Sequence, residues 1–461
     1  MKKLLLLSVL TVIFTSLAAC SPGGEARHRS NYVFEWQDPV LEATVRAILD
    51  KPGGDIFSGE LNIFRSFGVE RDGVRYNNNS YRYPVPGQIE SLEDFEHFPR
   101  LTSFELSGSE IGDISPLAFV PALKSVALYN NPNITDFSQL SKIPRLESLS
   151  LENLNLPDLT AISGLEGLLE LNIHDTRLPS IRGIGGFPKL NLLTLSCPMT
   201  GDFSEISSLT TLTRLEISSS GLSDISMLAS LPELTQLSLA YNRIEDISPI
   251  ANNPKLQRLW LNHNQISDIT ALSHLSSLQR LYISQNQIAD LTPLSGLSEM
   301  MNLDIAFNDV SDLSPIKGLS KMRTLIINGN RVSDLSPLSG MRDLFALSAA
   351  KNEIYDISPI AKLNRLEELN LSGNLIAGAP AFPSRNRLSN LSVSNNQITD
   401  VSPLKRHTAL VSLDLSGNQI GNIREMITLS RLTSLNVQRS GLSTVDEAWL
   451  KLTFQDCEII V

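Results

Sequence analysis

The 461-residue chain is long enough for two or three ordinary domains, and 42% hydrophobic against 19% charged residues supports a large core, not a disordered chain. With 49 acidic and 38 basic residues the net charge is −11. That balance argues against a nucleic-acid partner, because phosphate binding needs a basic surface.

Lys2 and Lys3 precede an apolar run over residues 4–14, and the segment ends in Leu17-Ala18-Ala19-Cys20. A basic start, an apolar middle and small residues at the end make a secretory signal. The run is shorter than the about 20 residues a membrane span needs. The ending resembles a bacterial lipobox. That resemblance implies cleavage before Cys20, lipid on the Cys20 thiol, and a mature chain tethered to a membrane surface; the alternative is an ordinary signal peptide with a chance cysteine. Residues 1–19 are then the signal and 20–33, rich in Gly and charge, a short tether. The expected location is the cell envelope, at the outer membrane or the cell surface.

Residues 34–88 precede the regular part of the sequence and are expected to cover its first coil as an N-terminal cap. Asp38-Pro39 predicts a helix start, with Leu41, Val45, Ile48 and Leu49 as its apolar stripe. A second element around Glu60 to Phe67 supplies Leu61, Ile63 and Phe64. Tyr76 to Tyr83 reads as a polar, Asn-rich loop.

From Leu101 the sequence repeats every 22 residues, as in LTQLSLAYNRIEDISPIANNPK from Leu234 and LQRLWLNHNQISDITALSHLSS from Leu256. Only the unit at Leu123 carries an extra residue, near Pro132. Such a period means stacked structural units. The alternation L-x-L is a strand with leucines inward and the intervening residues outward. Asparagine at the ninth position, unbroken from Asn242 through Asn264 and Asn286 to Asn418, is placed to satisfy backbone groups where the chain turns back. Ser or Thr before Pro, as at Ser248-Pro249 and Thr292-Pro293, predicts a hydroxyl-capped turn of 3-10 helix on the opposite side. Units from Leu101 to Glu233 mostly lack the asparagine, with Ser109, Leu154, Thr176, Pro198 and Ser220 in its place.

The N-x-I-x-D-I-S-P-L pattern resembles the internalin-like class of bacterial leucine-rich repeats, over residues 89–450. The resemblance implies an α/β solenoid: a right-handed arc with a concave parallel sheet, convex 3-10 turns and a small helical cap before the array. It also implies that binding residues lie on the concave sheet. The array is expected over 89–451, and 452–461 with Trp449 close its last coil.

The six histidines show no metal-ligand spacing, and no nucleophile elbow, P-loop or zincin motif is present. The expectation is therefore no cofactor, no metal and no catalysis. Cys197 and Cys457 lie at opposite ends of the repeats, which disfavours a disulfide. Outward positions three, five, seven and eight map a candidate partner surface: Arg258, Trp260 and His263 in one unit, Arg280 and Tyr282 in the next, Tyr241 on one side, Phe307 and Ile326 on the other. Trp, Tyr and Arg are the residues enriched at binding hot spots. Mutual packing of the aromatics across strands is the structural alternative. The face around Ser392, Ser394, Ser416 and Gly417 reads as inert. Position twenty, normally apolar, is Arg385 and His407 in consecutive units, beside Gly378 to Phe382, where a local bulge is expected.

The leading functional expectation is surface recognition or adhesion, with a protein or glycan held on the concave face. The alternative is an envelope scaffold or accessory lipoprotein that organises other envelope proteins. A cryptic enzyme is a distant third.

Overall fold

The computed structural model describes residues 31–78, 82–198, 201–382 and 387–461. The proposed signal and lipidation site, including Cys20, and Arg385 lie outside the described residues. Two compact units divide the chain, 1–201 and 202–461, and each is a stack of coils with one strand per coil.

The first unit opens with helix α1 (Pro39–Ile48), which begins at the predicted Asp38-Pro39 step. Asp38 Oδ1 accepts from the Val40 and Leu41 amides at 2.9 and 2.8 Å, the usual N-cap arrangement. Its other oxygen accepts from the amides of Glu90 and Ser91 at 2.7 and 3.0 Å. One carboxylate thus caps the helix and ties it to the start of the array. Buried Asp94 returns the tie by accepting from the Gln37 and Asp38 amides, each at 2.8 Å. Phe64, Phe67, Phe95, Phe98 and Phe104 interlock edge to face beneath it, all fully buried.

The cap also contains strands that the sequence reading did not assign. Strands β1 (Ser66–Glu70) and β2 (Gly73–Tyr76) form an antiparallel hairpin, and β2 pairs with β3 (Tyr83–Pro84). The two residues between them are Arg71 and Asp72, with Glu70 opposite Gly73. The second expected element, around Glu60 to Phe67, contains a single 3-10 turn at Glu60–Ile63. Strand β1 then pairs in parallel with β4 (Ser103–Ser107). Strands β5 (Ser125–Tyr129), β6 (Ser148–Glu152), β7 (Glu170–His174) and β8 (Leu192–Ser196) follow, each parallel to the one before.

The second unit continues the numbering with β9 (Arg214–Ile217), β10 (Gln236–Ser238), β11 (Arg258–Trp260), β12 (Arg280–Tyr282), β13 (Asn302–Asp304) and β14 (Thr324–Ile326). Next come β15 (Ala346–Ser348), β16 (Glu368–Asn370), β17 (Asn390–Ser392), β18 (Ser412–Asp414) and β19 (Ser434–Asn436), all parallel and in register. Position four of each coil is a leucine with at most 2% of its surface exposed, from Leu215 to Leu435. Helix α2 (Thr444–Thr453), capped by Ser443, and strand β20 (Glu458–Ile460), parallel to β19, complete the unit. The last expected coil is therefore replaced by a helix from Thr444, eight residues before the expected closing segment.

The asparagine ladder runs as its position predicts. Asn264 Oδ1 accepts from Ile244 N at 3.0 Å, and its Nδ2 donates to Leu239 O at 2.9 Å and Leu261 O at 3.0 Å. The same bonds recur at Asn286, Asn308, Asn330, Asn352, Asn374, Asn396 and Asn418. Every turn back to the return stroke thereby has its buried polar groups paired. In the first unit Asn131 holds the same position and donates to Leu106 O, while in the coil at Leu168 Thr176 stands in and donates from Oγ1 to His174 O.

The return strokes are 3-10 turns, such as Ser248–Asn252, Thr292–Leu294 and Ser314–Ile316. Their cap differs from the expected one. The Ser or Thr hydroxyl does not cap the turn; the aspartate two residues earlier accepts from it. Asp246 takes the Ser248 amide at 2.7 Å and its hydroxyl at 3.0 Å, and the pair recurs at Asp312 with Ser314 and Asp334 with Ser336. A carboxylate accepts both bonds, whereas a hydroxyl accepting alone leaves its own proton unused.

The unit at Leu366 lacks the 3-10 turn among its described residues, and Gly378 bridges to Asp400 instead. His407 is buried in the gap. Its Nε2–H donates to Pro380 O at 3.0 Å, and its ring meets Phe382 edge to face at 5.8 Å. A third polar residue at position twenty, besides Arg385 and His407, went unnoticed in the sequence. Asn253 is fully buried and donates to Leu228 O and Leu231 O, leaving its Oδ1 without a partner.

Candidate functional site

Position five of the second unit forms a straight row along the solvent face: Ser238, Trp260, Tyr282, Asp304 and Ile326 sit in register on five adjacent strands. Trp260 and Tyr282 stack with centroids 5.6 Å apart and planes 8° from parallel. Both keep part of their surface exposed. Two residues back, Arg258 and Arg280 are likewise in register, and neither joins an ion pair among the described residues. Some basic residues of the unit pair from coil to coil, as in Lys255–Glu233, Lys321–Glu299 and Arg331–Asp309. Others, Arg323 and Arg342 among them, join no ion pair among the described residues, and the arginine pair is of this second kind.

A second column, at position eight, has a property the sequence reading missed. Its backbone is left-handed in coil after coil, at Asn130, Asn153, Asp175 and Ser219 in one stretch and Gly329, Gly373, Asn395 and Gly417 in another. Gly, Asn and Asp are the residues that tolerate this conformation. Between them stand Tyr241 (φ 58), His263 (φ 54), Gln285 (φ 55) and Phe307 (φ 53). Bulky side chains there cost about 1–2 kcal/mol each. Residues held in such strain cluster at binding and catalytic sites. The recurrence of Gly and Asn at position eight was the available signal.

The strained side chains face outward. Tyr241 is 56% exposed and Phe307 48%. The His263 imidazole stacks on the Tyr241 ring at 4.1 Å, 16° from parallel. Phe307 lies over Gly329, where a Cβ would come within 2.5 Å of the ring. The sequence-mapped residues therefore form two patterns: Arg258, Arg280, Trp260, Tyr282 and Ile326 on the strands, and Tyr241, His263 and Phe307 along the turn beside them.

Beyond Ile326 the face expected to be inert is a groove of about 550 Å³ crossing β14 to β18. Its floor is a linked set of polar groups. Ser372 Oγ donates to Asn370 Oδ1 at 2.7 Å and lies 2.7 Å from Ser392 Oγ, and Ser392 reaches the Asp414 carboxylate at 3.3 Å. Small residues there leave room that larger ones fill at Trp260 and Tyr282. Asp304, between the two regions, has its carboxyl raised above the usual range by burial, against a bond from the Ala306 amide.

The first unit presents a different face. Glu105, Glu152 and Glu170 point outward with Ser103, Ser150 and His174. Burial raises the Glu105 carboxyl, Arg75 opposes the shift, and Glu70 adds to it. A cavity of about 270 Å³ lies there, against Gly68 and Tyr76. Cys197 is buried, with its thiol pushed up to about 11 by loss of solvent, and is inert; Cys457 is also a free thiol. Among the described residues no group of three His, Cys, Asp or Glu side chains is arranged to hold a metal. No helix among them is long and apolar enough to cross a membrane.

Comparison with known proteins agrees with the geometry. The model of the family "Leucine Rich repeats (2 copies)" matches residues 210–252, 254–296 and 386–429. An internalin from Listeria monocytogenes is similar in structure, with TM-score 0.56 and 28% identity over 83% of this chain and 96% of that one. A leucine-rich-repeat protein from Leptospira interrogans has TM-score 0.64 at 22% identity, over 81% and 93%. A plant peptide hormone receptor in complex with RGF2 has TM-score 0.58 at 20% identity, over 79% and 67%. None of the curated proteins compared matches the chain. Fold and repeats are thus those of a leucine-rich-repeat solenoid, and proteins of this kind generally mediate protein–protein recognition.

Proposed function

We propose that this leucine-rich-repeat chain is a recognition protein of the bacterial cell envelope, held by lipid on Cys20, that binds a protein partner on the solvent face of β10 to β14. The observation that carries this reading is the pair of aromatic columns. Exposed rings at position five have no partner in the core, and at position eight they are kept at a backbone cost that Gly or Asn would avoid. Cross-strand stacking returns only up to about 1 kcal/mol per pair. A bound partner that desolvates those rings gives a reason for both. Catalysis has no comparable support, since the titratable groups on this face are spread along strands and do not converge on one point.

The test is capture from cell-surface extracts by the immobilised 21–461 chain, with partners identified by mass spectrometry. Replacing Trp260 and Tyr282 by Ala is expected to abolish capture while the melting temperature moves little. Unchanged capture by the double variant contradicts the proposal. Protease accessibility on intact cells separates an outward-facing receptor from a periplasmic scaffold.

A further inference from the structure

Several surfaces compete for a further role. The polar groove across β14 to β18 is internally hydrogen-bonded, so its groups ask for little from a ligand. The exposed apolar residues Ile427, Val445 and Leu452 of the last coils have nothing to show what covers them. The arginine pair beside the aromatic stack is different, because its unmet needs specify the chemistry of an occupant.

The geometry points to an extended acidic peptide segment as what the β11–β12 face holds, with a carboxylate on Arg258 and Arg280 and an apolar or aromatic side chain on Trp260 and Tyr282. This rests on the binding reading above and names the partner's chemistry. Two observations converge. First, two guanidinium groups project from the same register position of neighbouring strands, about 4.8 Å apart at the backbone. Like charges so placed repel, and among the described residues neither has a carboxylate partner. Asp304, on the next strand and two residues further along, accepts from the Ala306 amide. In a chain of net charge −11, acids to neutralise them were abundant.

Second, the stacked rings of Trp260 and Tyr282 begin two residues further along the same strands. A ligand anion on the arginines thus has an apolar surface about 7 Å away. From Arg258 to Trp260 the strand path is about 7 Å, the length of two extended residues. An anion and a flat apolar group over that distance are what an extended peptide with Asp or Glu near an aromatic or aliphatic residue presents. Guanidinium groups take carboxylates in paired, charge-assisted bonds. The strained Tyr241 and His263 stack then walls the far end, where the chain of such a segment leaves the sheet.

The test pans a phage-displayed library of random dodecapeptides on the immobilised protein and measures binding of synthetic copies of the selected peptides by fluorescence anisotropy. Selected peptides are expected to be enriched in Asp or Glu within two residues of Trp, Tyr, Phe or Leu. Their binding is expected to weaken about tenfold or more in Arg258→Ala/Arg280→Ala, as for lost charge-assisted bonds. Binding is expected to fall only partly in Arg258→Lys/Arg280→Lys, and to weaken with added salt. Peptides without acid enrichment, or bound equally by the arginine variants but lost in Trp260→Ala/Tyr282→Ala, overturn the acidic-peptide inference and leave the aromatic face as a binding surface. Peptides indifferent to all four substitutions overturn both. Polygalacturonate binding through the arginines in the absence of any selected peptide assigns the site to anionic glycans and overturns the inference.

Discussion

The two units build the same coil and decorate it in opposite ways. Outward positions of β4 to β7 carry Glu105, Glu152 and Glu170 among serines, whereas β11 and β12 carry two unpaired arginines and a Trp–Tyr stack. The inward leucines are alike in both. The turn back from the strand is also solved differently: asparagine holds position nine without a break from Asn242 to Asn418 in the second unit, whereas in the first Asn131 holds it in one coil and Thr176 stands in for it in another. The contrast teaches that the repeat fixes only the inward half of each coil. Its outward half is free to carry function, and in the second unit it carries residues whose only evident return is binding.

The sharpest way to break that comparison is to remove one rung of the ladder. Asn308 pairs with Ile288 N, Ile283 O and Ile305 O. Asn308→Ala leaves those buried groups unpaired and is expected to cost about 3 kcal/mol, because each orphan costs about 1–3 kcal/mol before relaxation. Thr176→Val in the first unit removes weaker bonds and is expected to cost about 1 kcal/mol. Urea unfolding of the two variants measures the difference. Equal losses would mean that the ladder gives the second unit no special support.

Next in size is the effect on capture. Trp260→Ala/Tyr282→Ala is expected to weaken partner binding about 30-fold or more, equivalent to about 2 kcal/mol, with stability changed by less than about 1 kcal/mol. Glu152→Ala/His174→Ala on the first unit's face is expected to leave capture unchanged. A smaller loss is expected of Gly329→Ala, whose added Cβ strains a φ of 64 and displaces the Phe307 ring. If Phe307 contributes to the surface, capture weakens several-fold.

Two pH effects are smaller. Burial holds the His407 imidazole below its usual value, while the bond to Pro380 pulls the other way. A histidine that resists protonation when folded stabilises fully above its ordinary range near about 6.5 and loses that contribution as pH falls below it. His407→Leu is expected to flatten the dependence of the urea midpoint between about pH 6.5 and 5, and an unchanged slope would show that another group causes it. Asp268, Asp290 and Asp312 run the opposite way. Bonds from Thr270, Thr292 and Ser314 hold them below the usual carboxylate range. They stabilise above about pH 4 and lose that as pH falls through their lowered values. Asn at these three positions is expected to give a slight loss at neutral pH and a shallower acid transition.

Most of the coil was legible in the amino-acid order because it follows from spacing. Inward leucines, the ninth-position asparagine and the Ser-Pro turns each repeat at a fixed interval, and each occupies its expected place. What escaped depended on non-periodic or three-dimensional detail. The β1–β2 hairpin occurs once, so its Arg71-Asp72 turn had no repetition to mark it. Capping by Asp246 and its counterparts was hidden because the neighbouring serine offers an equally familiar cap. Asn253 looks like a loop residue until its coil is counted to position twenty. The left-handed column was readable from Gly108, Gly329 and Asn395, yet only backbone angles show that Tyr241, His263 and Phe307 share it. The groove at β14 to β18 was not legible, because small polar side chains in the sequence do not show the space above them.

The central claim is that one sheet face, and within it the aromatic columns, makes contact. Hydroxyl-radical footprinting with and without the captured partner tests it residue by residue. Oxidation of Trp260, Tyr282, Tyr241 and Phe307 is expected to fall in the complex while Tyr129 and Phe119 of the first unit keep their free rates. Protection of Tyr129 or Phe119 with Trp260 and Tyr282 unchanged would contradict the claim.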